Sequence, residues 1–235
     1  MYDRHTEIYD QVHTFKNYEA EVQSLLGLVD RLHPAARTLL DVACGTGVHL
    51  ELLQSRFEVS GLDINRGLLA KAAERVPGVP LHAGDMESFD LAQTFDVVQC
   101  LFGSVSFLET PDRLARAIDA MARHVAPGGL LIVEPWLTPA NYWRRNIKLD
   151  VSESAEQKIA RMYVGREAGG VVTNEEHFLI GTPDGVTHFV ETHRQGLFAE
   201  SDFTGPLAAT GLDLVEHDPV GLHGYGLYVA RRPSS

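Results

Sequence analysis

The chain has 235 residues, 44% hydrophobic and 22% charged, with 32 acidic against 20 basic side chains and a formal net charge of −12. This is enough chain for one sizeable core, and the composition is that of an ordinary globular protein. The acidic balance argues against sequence-independent nucleic-acid binding and against an anionic membrane surface, since both depend on clustered Lys and Arg.

In chain order, Asn17 followed by YEAEVQSLLGLVDRLH reads as a capped helix, with Tyr18, Val22, Leu25, Leu26, Val29 and Leu32 at three- and four-residue steps. Thr38 to Ala43 is a short apolar strand that runs into the turn CGTG, and a second helix is expected from Thr46 to Gln54. FEVSGLDI is the next strand, GLLAKAAER the next helix, and Leu81–Ala83 a brief strand before the loop GDMESFD. DVVQCL is a fourth strand; Thr110 caps a helix with Pro111 at its first position, and after APGG the run LLIVEP is a fifth strand. Strands alternating with helices imply right-handed crossovers and a parallel sheet covered on both faces.

After Glu134 the pattern changes. Ile159–Arg166, Val171–Ile180 and Val186–Gly196, separated by EAGG and GTPDG, predict a three-stranded antiparallel insert. A helix over Glu200–Thr210 and strands over Asp213–Asp218 and Gly226–Ala230 complete the chain. The expected organisation is one domain. Residues 1–37 form an N-terminal segment and first helix, 38–136 the α/β core, 137–198 the β-rich insert, and 199–235 the last helix and strands. Cys44 and Cys100 show no metal or redox spacing, and no stretch is apolar enough for a signal core or a membrane span. A cytoplasmic location with reduced thiols is the expectation. The pair Arg144 and Arg145 reads as solvated surface.

The turn carries the chemistry. A strand breaking through small residues into a helix presents backbone N–H groups and a positive dipole end to a ligand. The dinucleotide fingerprint would need a third glycine where Leu50 stands, and no Gly-Lys-Ser/Thr follows for a phosphate loop. What remains is D-x-x-x-G-x-G with Asp63 ending the second strand, placed for a ribose, and Asp85-Met86 after the third, placed for the edge and face of an adenine. A plain tight turn and a nicotinamide site are the competing readings.

As a linked set, DVACGTG, GLD, GDM, LFGSVSFL, APGG and LLIVEPW resemble the class I S-adenosylmethionine-dependent methyltransferases. KNYEAE, LHAGDMESFDL and the tail THRQGLF…GYGLYVA are further similar to the nucleotide-amino-sugar N-methyltransferases of macrolide biosynthesis. The resemblance implies a doubly wound, Rossmann-like, mostly parallel seven-stranded sheet with an antiparallel insert after strand five. It also implies an S-adenosylmethionine site in which Ala43, Gly45 and Gly47 form the turn by the methionine part. Asp63 and Ile64 would hold the ribose and adenine, and Asp85 and Met86 the adenine's edge and face. Leu101 and Phe102 would line the methyl donor, with Tyr18 over the cofactor. The N-terminal Tyr2, His5, Tyr9 and His13 would belong to a lid.

For the acceptor, Tyr2, Trp136 and Tyr225 are the candidate wall, and Tyr9, His177 and His193 the candidate catalytic side chains. Period-2 alternation puts His193 with Glu191 and Phe189 on one strand face. No His pair has metal-site spacing, and no metal is expected. Two positions depart from the relatives: Phe107 stands where some carry a histidine, and Tyr225 where they carry an arginine. Both remove polar groups from the acceptor side, so a less anionic or differently shaped acceptor is one expectation. The expected reaction is N-methylation of a nucleotide-linked deoxyamino sugar, the alternatives being small-molecule O-methylation or a silent S-adenosylmethionine-binding module. The expected partner is a small molecule, with no nucleic acid and no membrane, and the insert's exposed strand edges suit a homodimer.

Overall fold

The computed structural model describes residues 6–143 and 147–234. Tyr2, His5, Arg144 and Arg145 lie outside the described residues. A helical turn at Thr6–Ile8 leads into α1 (Tyr9–Val12), and α2 (Tyr18–Leu32) follows. Asn17 caps α2 as its sequence predicts, its side chain accepting from the Ala20 N–H at 3.0 Å. The buried face of α2 carries Val22, Leu25, Leu28 and Val29, each such side chain contributing roughly 1.5–3 kcal/mol on burial.

The core then alternates β1 (Thr38–Val42), α3 (Val48–Leu53), β2 (Glu58–Asp63), α4 (Arg66–Arg75), β3 (Leu81–Ala83), β4 (Phe95–Cys100), α5 (Pro111–Arg123) and β5 (Val125–Val133). After the insert come α6 (Glu200–Ala209), β10 (Asp213–Asp218) and β11 (Leu227–Arg231). The seven strands lie in the order β10-β11-β5-β4-β1-β2-β3. All neighbours are parallel except that β11 runs antiparallel to both β5 and β10. One face is covered by α2, α3 and α4 and the other by α5 and α6, which accounts for the near-continuous apolar strands. The chain leaves β1 toward β2 on one side and returns through β4 on the other. The crevice at their carboxyl ends is therefore where such sheets meet ligands.

The helix-strand closeness that a third glycine would give is supplied from the other side. A Cβ on Gly61 of β2 would stand 2.8 Å from both the Cys44 Sγ and a Leu50 methyl. Leu50 thus fills the space that Gly61 leaves.

The insert corrects the sequence reading in one respect. It has four antiparallel strands, β6 (Ile147–Glu153), β7 (Lys158–Ala168), β8 (Val171–Thr182) and β9 (Gly185–Gly196), in that spatial order. The unexpected strand β6 carries only three apolar residues, Ile147, Leu149 and Val151, and all three are exposed. The inner face of this sheet turns toward the crevice. Ile159 and Phe178 on that face bury with Ile8 and Val12 of the N-terminal segment, tying α1 to the insert.

Candidate active site

Two adjoining cavities open at the carboxyl edge of the sheet. The smaller is walled by Lys16, Tyr18, Asp41, Cys44, Thr46, His49 and Leu101, and the larger runs from Asp63, Ile64, Asp85 and Met86 to the inner face of the insert. Tyr9, Ala43, Gly45, Phe102 and Ser104 border both. The glycine turn, the acid ending β2 and the Asp-Met step after β3 thus converge on one continuous space.

Gly45 and Gly47 have positive φ, +57° and +79°, which only glycine adopts without strain. Gly47 is not in either cavity wall. It starts α3, and a Cβ there would meet that of Ala72 at 3.1 Å, so its task is the turn itself. Asp63 is 5% exposed, its Oδ2 accepting from the Gly45 N–H at 2.9 Å and its Oδ1 from the Asn65 N–H at 2.8 Å. These bonds aim the carboxylate and leave lone pairs toward the cavity. Burial raises its pKa, against the opposing pull of the backbone donors. Asp85 is fixed in the same manner by the Glu87 N–H at 2.9 Å. Ile64, 57% exposed, forms the rim.

Asp41 was visible in the sequence as the acid before the turn, but without a role. It is 2% exposed; its Oδ1 accepts from Gln99 at 3.1 Å, and its Oδ2 is buried with no hydrogen-bond partner. A buried carboxylate oxygen without a donor is costly unless a ligand supplies one. Lys16 stands across the same cavity, almost fully buried, 3.3 Å from Glu21 and 3.5 Å over the Phe102 ring. An ammonium and a carboxylate on one ligand suit this pair of opposite charges. The residues fit the methionine end of S-adenosylmethionine here and its nucleoside at Asp63 and Asp85.

Tyr9 rests against the turn, a Cβ on Gly45 lying 3.8 Å from its hydroxyl. Its helix is latched by Asp10, whose Oδ1 accepts from the Thr46 hydroxyl at 2.6 Å and whose Oδ2 lies 2.5 Å from Arg75. Trp136, Tyr225, Phe107, Tyr163 and Gln195 also line the larger cavity. His193 joins them, 3.6 Å from Glu176, which is itself 3.4 Å from Arg161; Arg161 also pairs with Asp150 at 2.6 Å. Sequence spacing gave no hint of Arg161 or Glu176, because their meeting depends on the register of β7 and β8.

His177 is placed otherwise. It is on the opposite, outer face of the insert, stacked on His188 with ring centroids 5.4 Å apart and outside both cavity walls. Strand alternation separates it from His193, and a catalytic role for His177 has no geometric basis. Among the described residues, no group of three or more His, Cys, Asp or Glu side chains is arranged to hold a metal ion. Both cysteines are buried, and burial raises both thiol pKa values, which disfavours the nucleophilic thiolate.

A family profile described as a methyltransferase domain matches residues 39–129. The chain is 38% identical over 226 residues to the dTDP-3-amino-3,6-dideoxy-alpha-D-glucopyranose N,N-dimethyltransferase of Streptomyces fradiae, covering 94% of this chain and 88% of that protein. It belongs to the class I S-adenosylmethionine-dependent methyltransferases. The crystal structure of Streptomyces venezuelae DesVI superposes with a TM-score of 0.92 at 35% identity, over 97% of this chain and 98% of that one. S-adenosylmethionine-bound CalS10, an amino pentose methyltransferase of Micromonospora echinaspora involved in calicheamicin biosynthesis, gives 0.88 at 36%, over 99% and 98%. The methyltransferase thus keeps the sugar N-methyltransferase architecture throughout, insert included, and its methyl donor is S-adenosylmethionine.

Proposed function

We propose that this methyltransferase transfers a methyl group to the amino nitrogen of a nucleotide-linked deoxyamino sugar in natural-product biosynthesis. The observation that carries the reading is the continuity of the two cavities at Phe102 and Tyr9, which supports a donor and an acceptor lying end to end. The relatives' activity on dTDP-linked amino sugars supports the acceptor class.

S-adenosylmethionine supplies an activated methyl on a sulfonium. The protein's part is to align an amine behind that carbon and to keep water out. Trp136, Phe107 and Tyr163 give an aromatic wall, and Tyr225 adds a hydroxyl. The amine lone pair forms the N–C bond as the C–S bond breaks, and the positive charge passes to nitrogen. An amine proton then leaves to solvent or to a neighbouring group; Tyr9 is the candidate on the donor side, and His193, with Glu176 3.6 Å from Nδ1 and Glu191 3.3 Å from Nε2, can take a proton only while its ring is neutral.

Incubation with S-adenosylmethionine and dTDP-3-amino-3,6-dideoxyglucose, read by mass spectrometry, tests this. Methyl-labelled amine supports it. Turnover only of the 3-hydroxy analogue would make it an O-methyltransferase, and binding without turnover on either would make it a sensor.

We also propose that the chain acts as one methyltransferase unit and pairs with a second copy through the outer face of the insert. Ile147, Leu149, Val151, Met162, Val164, Leu179 and Val190 are all exposed on that face. A two-fold contact would lay these self-complementary apolar rows on one another. A cytoplasmic location completes the proposal; among the described residues, no helix is long and apolar enough to cross a membrane.

A further inference from the structure

An ionic cluster drawn from five segments reaches from the wall of the smaller cavity, at Lys16 and His49, into the protein behind it. His223, in the loop before β11, places Nδ1 2.7 Å from Glu134 Oε1 and Nε2 2.5 Å from Glu21 Oε1. Glu134 follows β5 and Glu21 is in the first turn of α2; they are 0% and 5% exposed. The second oxygen of each carboxylate is also engaged. Glu134 Oε2 accepts from the Phe102 N–H at 2.6 Å, while Glu21 Oε2 lies 3.0 Å from His49 Nε2 and 3.3 Å from Lys16 Nζ.

A neutral imidazole has one donor, so a ring with a carboxylate oxygen at each nitrogen satisfies both only as the imidazolium. Burial alone would lower its pKa, but the hydrogen bonds to Glu134 and Glu21 outweigh that and raise it to about 9, with Lys16 opposing. For Glu21, burial pushes upward and is outweighed by His223, His49 and Lys16, which hold the carboxyl down at about 2. Tyr225, stacked 6.3 Å from the ring, is a further titratable neighbour, and burial raises its pKa.

Phe102 gives the cluster a purpose. Its φ of +56° is in the left-handed region that a bulky side chain rarely adopts. Its ring borders both cavities, lies 5.1 Å from the His223 ring and carries the Lys16 ammonium on its face. A strained residue persists when its surroundings over-determine it, and the short charge-assisted bond from its N–H to Glu134 is the restraint.

We propose that His223 is a positioning residue for methyl transfer: by clamping Glu134 to Glu21, it fixes Phe102 at the border between donor and acceptor. This rests on the reading of the two cavities given above. His223 is in neither cavity wall. Losing the clamp therefore misaligns the displacement without removing a ligand contact, and small misplacements at a reacting centre are expensive in rate. Raising the pH past the ring's pKa frees one carboxylate and has the same effect.

The test uses the full chain and the variants His223→Gln and Glu134→Gln. With dTDP-3-amino-3,6-dideoxyglucose as acceptor, His223→Gln should lower kcat at least about tenfold, while acceptor KM and the Kd of S-adenosylhomocysteine stay within about threefold. The wild type's loss of kcat above pH about 9 should vanish in that variant. Independently of turnover, NMR of protein with labelled histidine and no cofactor should show the His223 ring keeping both protons to about pH 9, with the Phe102 amide shifting as it titrates. Unchanged kcat, a Kd weakened in step with kcat, or a ring titrating near 6.5 would overturn the proposal. If His223→Gln does not fold, Glu134→Gln carries the same readouts. A wild type inactive on every amine would refute the functional reading alone, and the NMR titration would still decide the clamp.

Discussion

Replacing Asp63 with alanine removes a carboxylate that does two things at once. It accepts from the Gly45 and Asn65 N–H groups at 2.9 and 2.8 Å, and in the proposed cofactor site it presents its remaining lone pairs to the ribose. At 5% exposure, truncation strands both donors away from water. A buried unsatisfied donor costs about 1–3 kcal/mol, so with two of them the fold loses about 2–6 kcal/mol and melts lower. Cofactor binding loses hydrogen bonds to a charged acceptor at about 1.5–3 kcal/mol each. Two hydroxyls make at least about 3 kcal/mol, a rise in Kd on the order of 100-fold. Calorimetric titration with S-adenosylhomocysteine reads the affinity, and a melt in parallel separates it from unfolding. Asp63→Asn, which keeps one acceptor oxygen, should fall between. A folded Asp63→Ala protein with Kd within about twofold of wild type would mean that the ribose is held elsewhere.

Gly47→Ala should destabilise by about 1–2 kcal/mol, because it forces a positive φ on an L-residue and presses on Ala72; a melt at unchanged m-value checks it. Asp10→Asn should loosen the Tyr9 latch and speed cofactor dissociation severalfold in stopped flow, with the melting point little changed; an unaltered off-rate would detach the latch from cofactor exchange. Leu149→Glu in the exposed apolar face should leave a folded monomer by light scattering, whereas a wild type already monomeric at high concentration would refute the dimer. For stability against pH, His223 has a raised folded pKa, so its contribution is complete below about 6.5 and is lost as pH rises through about 9. Glu21 is depressed to about 2, so its contribution is present above about 4.5 and is lost as pH falls toward 2. Denaturant midpoints across that range should fall at both ends, and His223→Gln should flatten the alkaline fall.

Much of the sheet was legible because its signals are local. The cap at Asn17, the Thr110-Pro111 start and the unbroken apolar strands each sit within a few residues. The meeting of Asp63 and Asp85 at one cavity was legible for the same reason, since Asp63 ends β2 and Asp85 stands two residues past β3. Strand β6 escaped because an exposed three-residue alternation resembles a loop. The clamp of Lys16, Glu21, His49, Glu134 and His223 escaped because its members come from five segments with no common spacing; only the folded chain brings Glu21 and His223 together. His177 and His193 looked equivalent as strand histidines. Nothing short of the pairing β8↔β9, which sets His177 opposite Val190 and His193 opposite Asn174, tells which one faces the cavity.

The most direct measurement is a crystal structure of the full chain with S-adenosylhomocysteine. The ribose should lie on Asp63, the adenine between Asp85 and Met86, the ammonium on the unpartnered oxygen of Asp41, and the sulfur beside Phe102. A ligand seated away from the glycine turn, or one that leaves the Asp41 oxygen without a donor, would contradict the account.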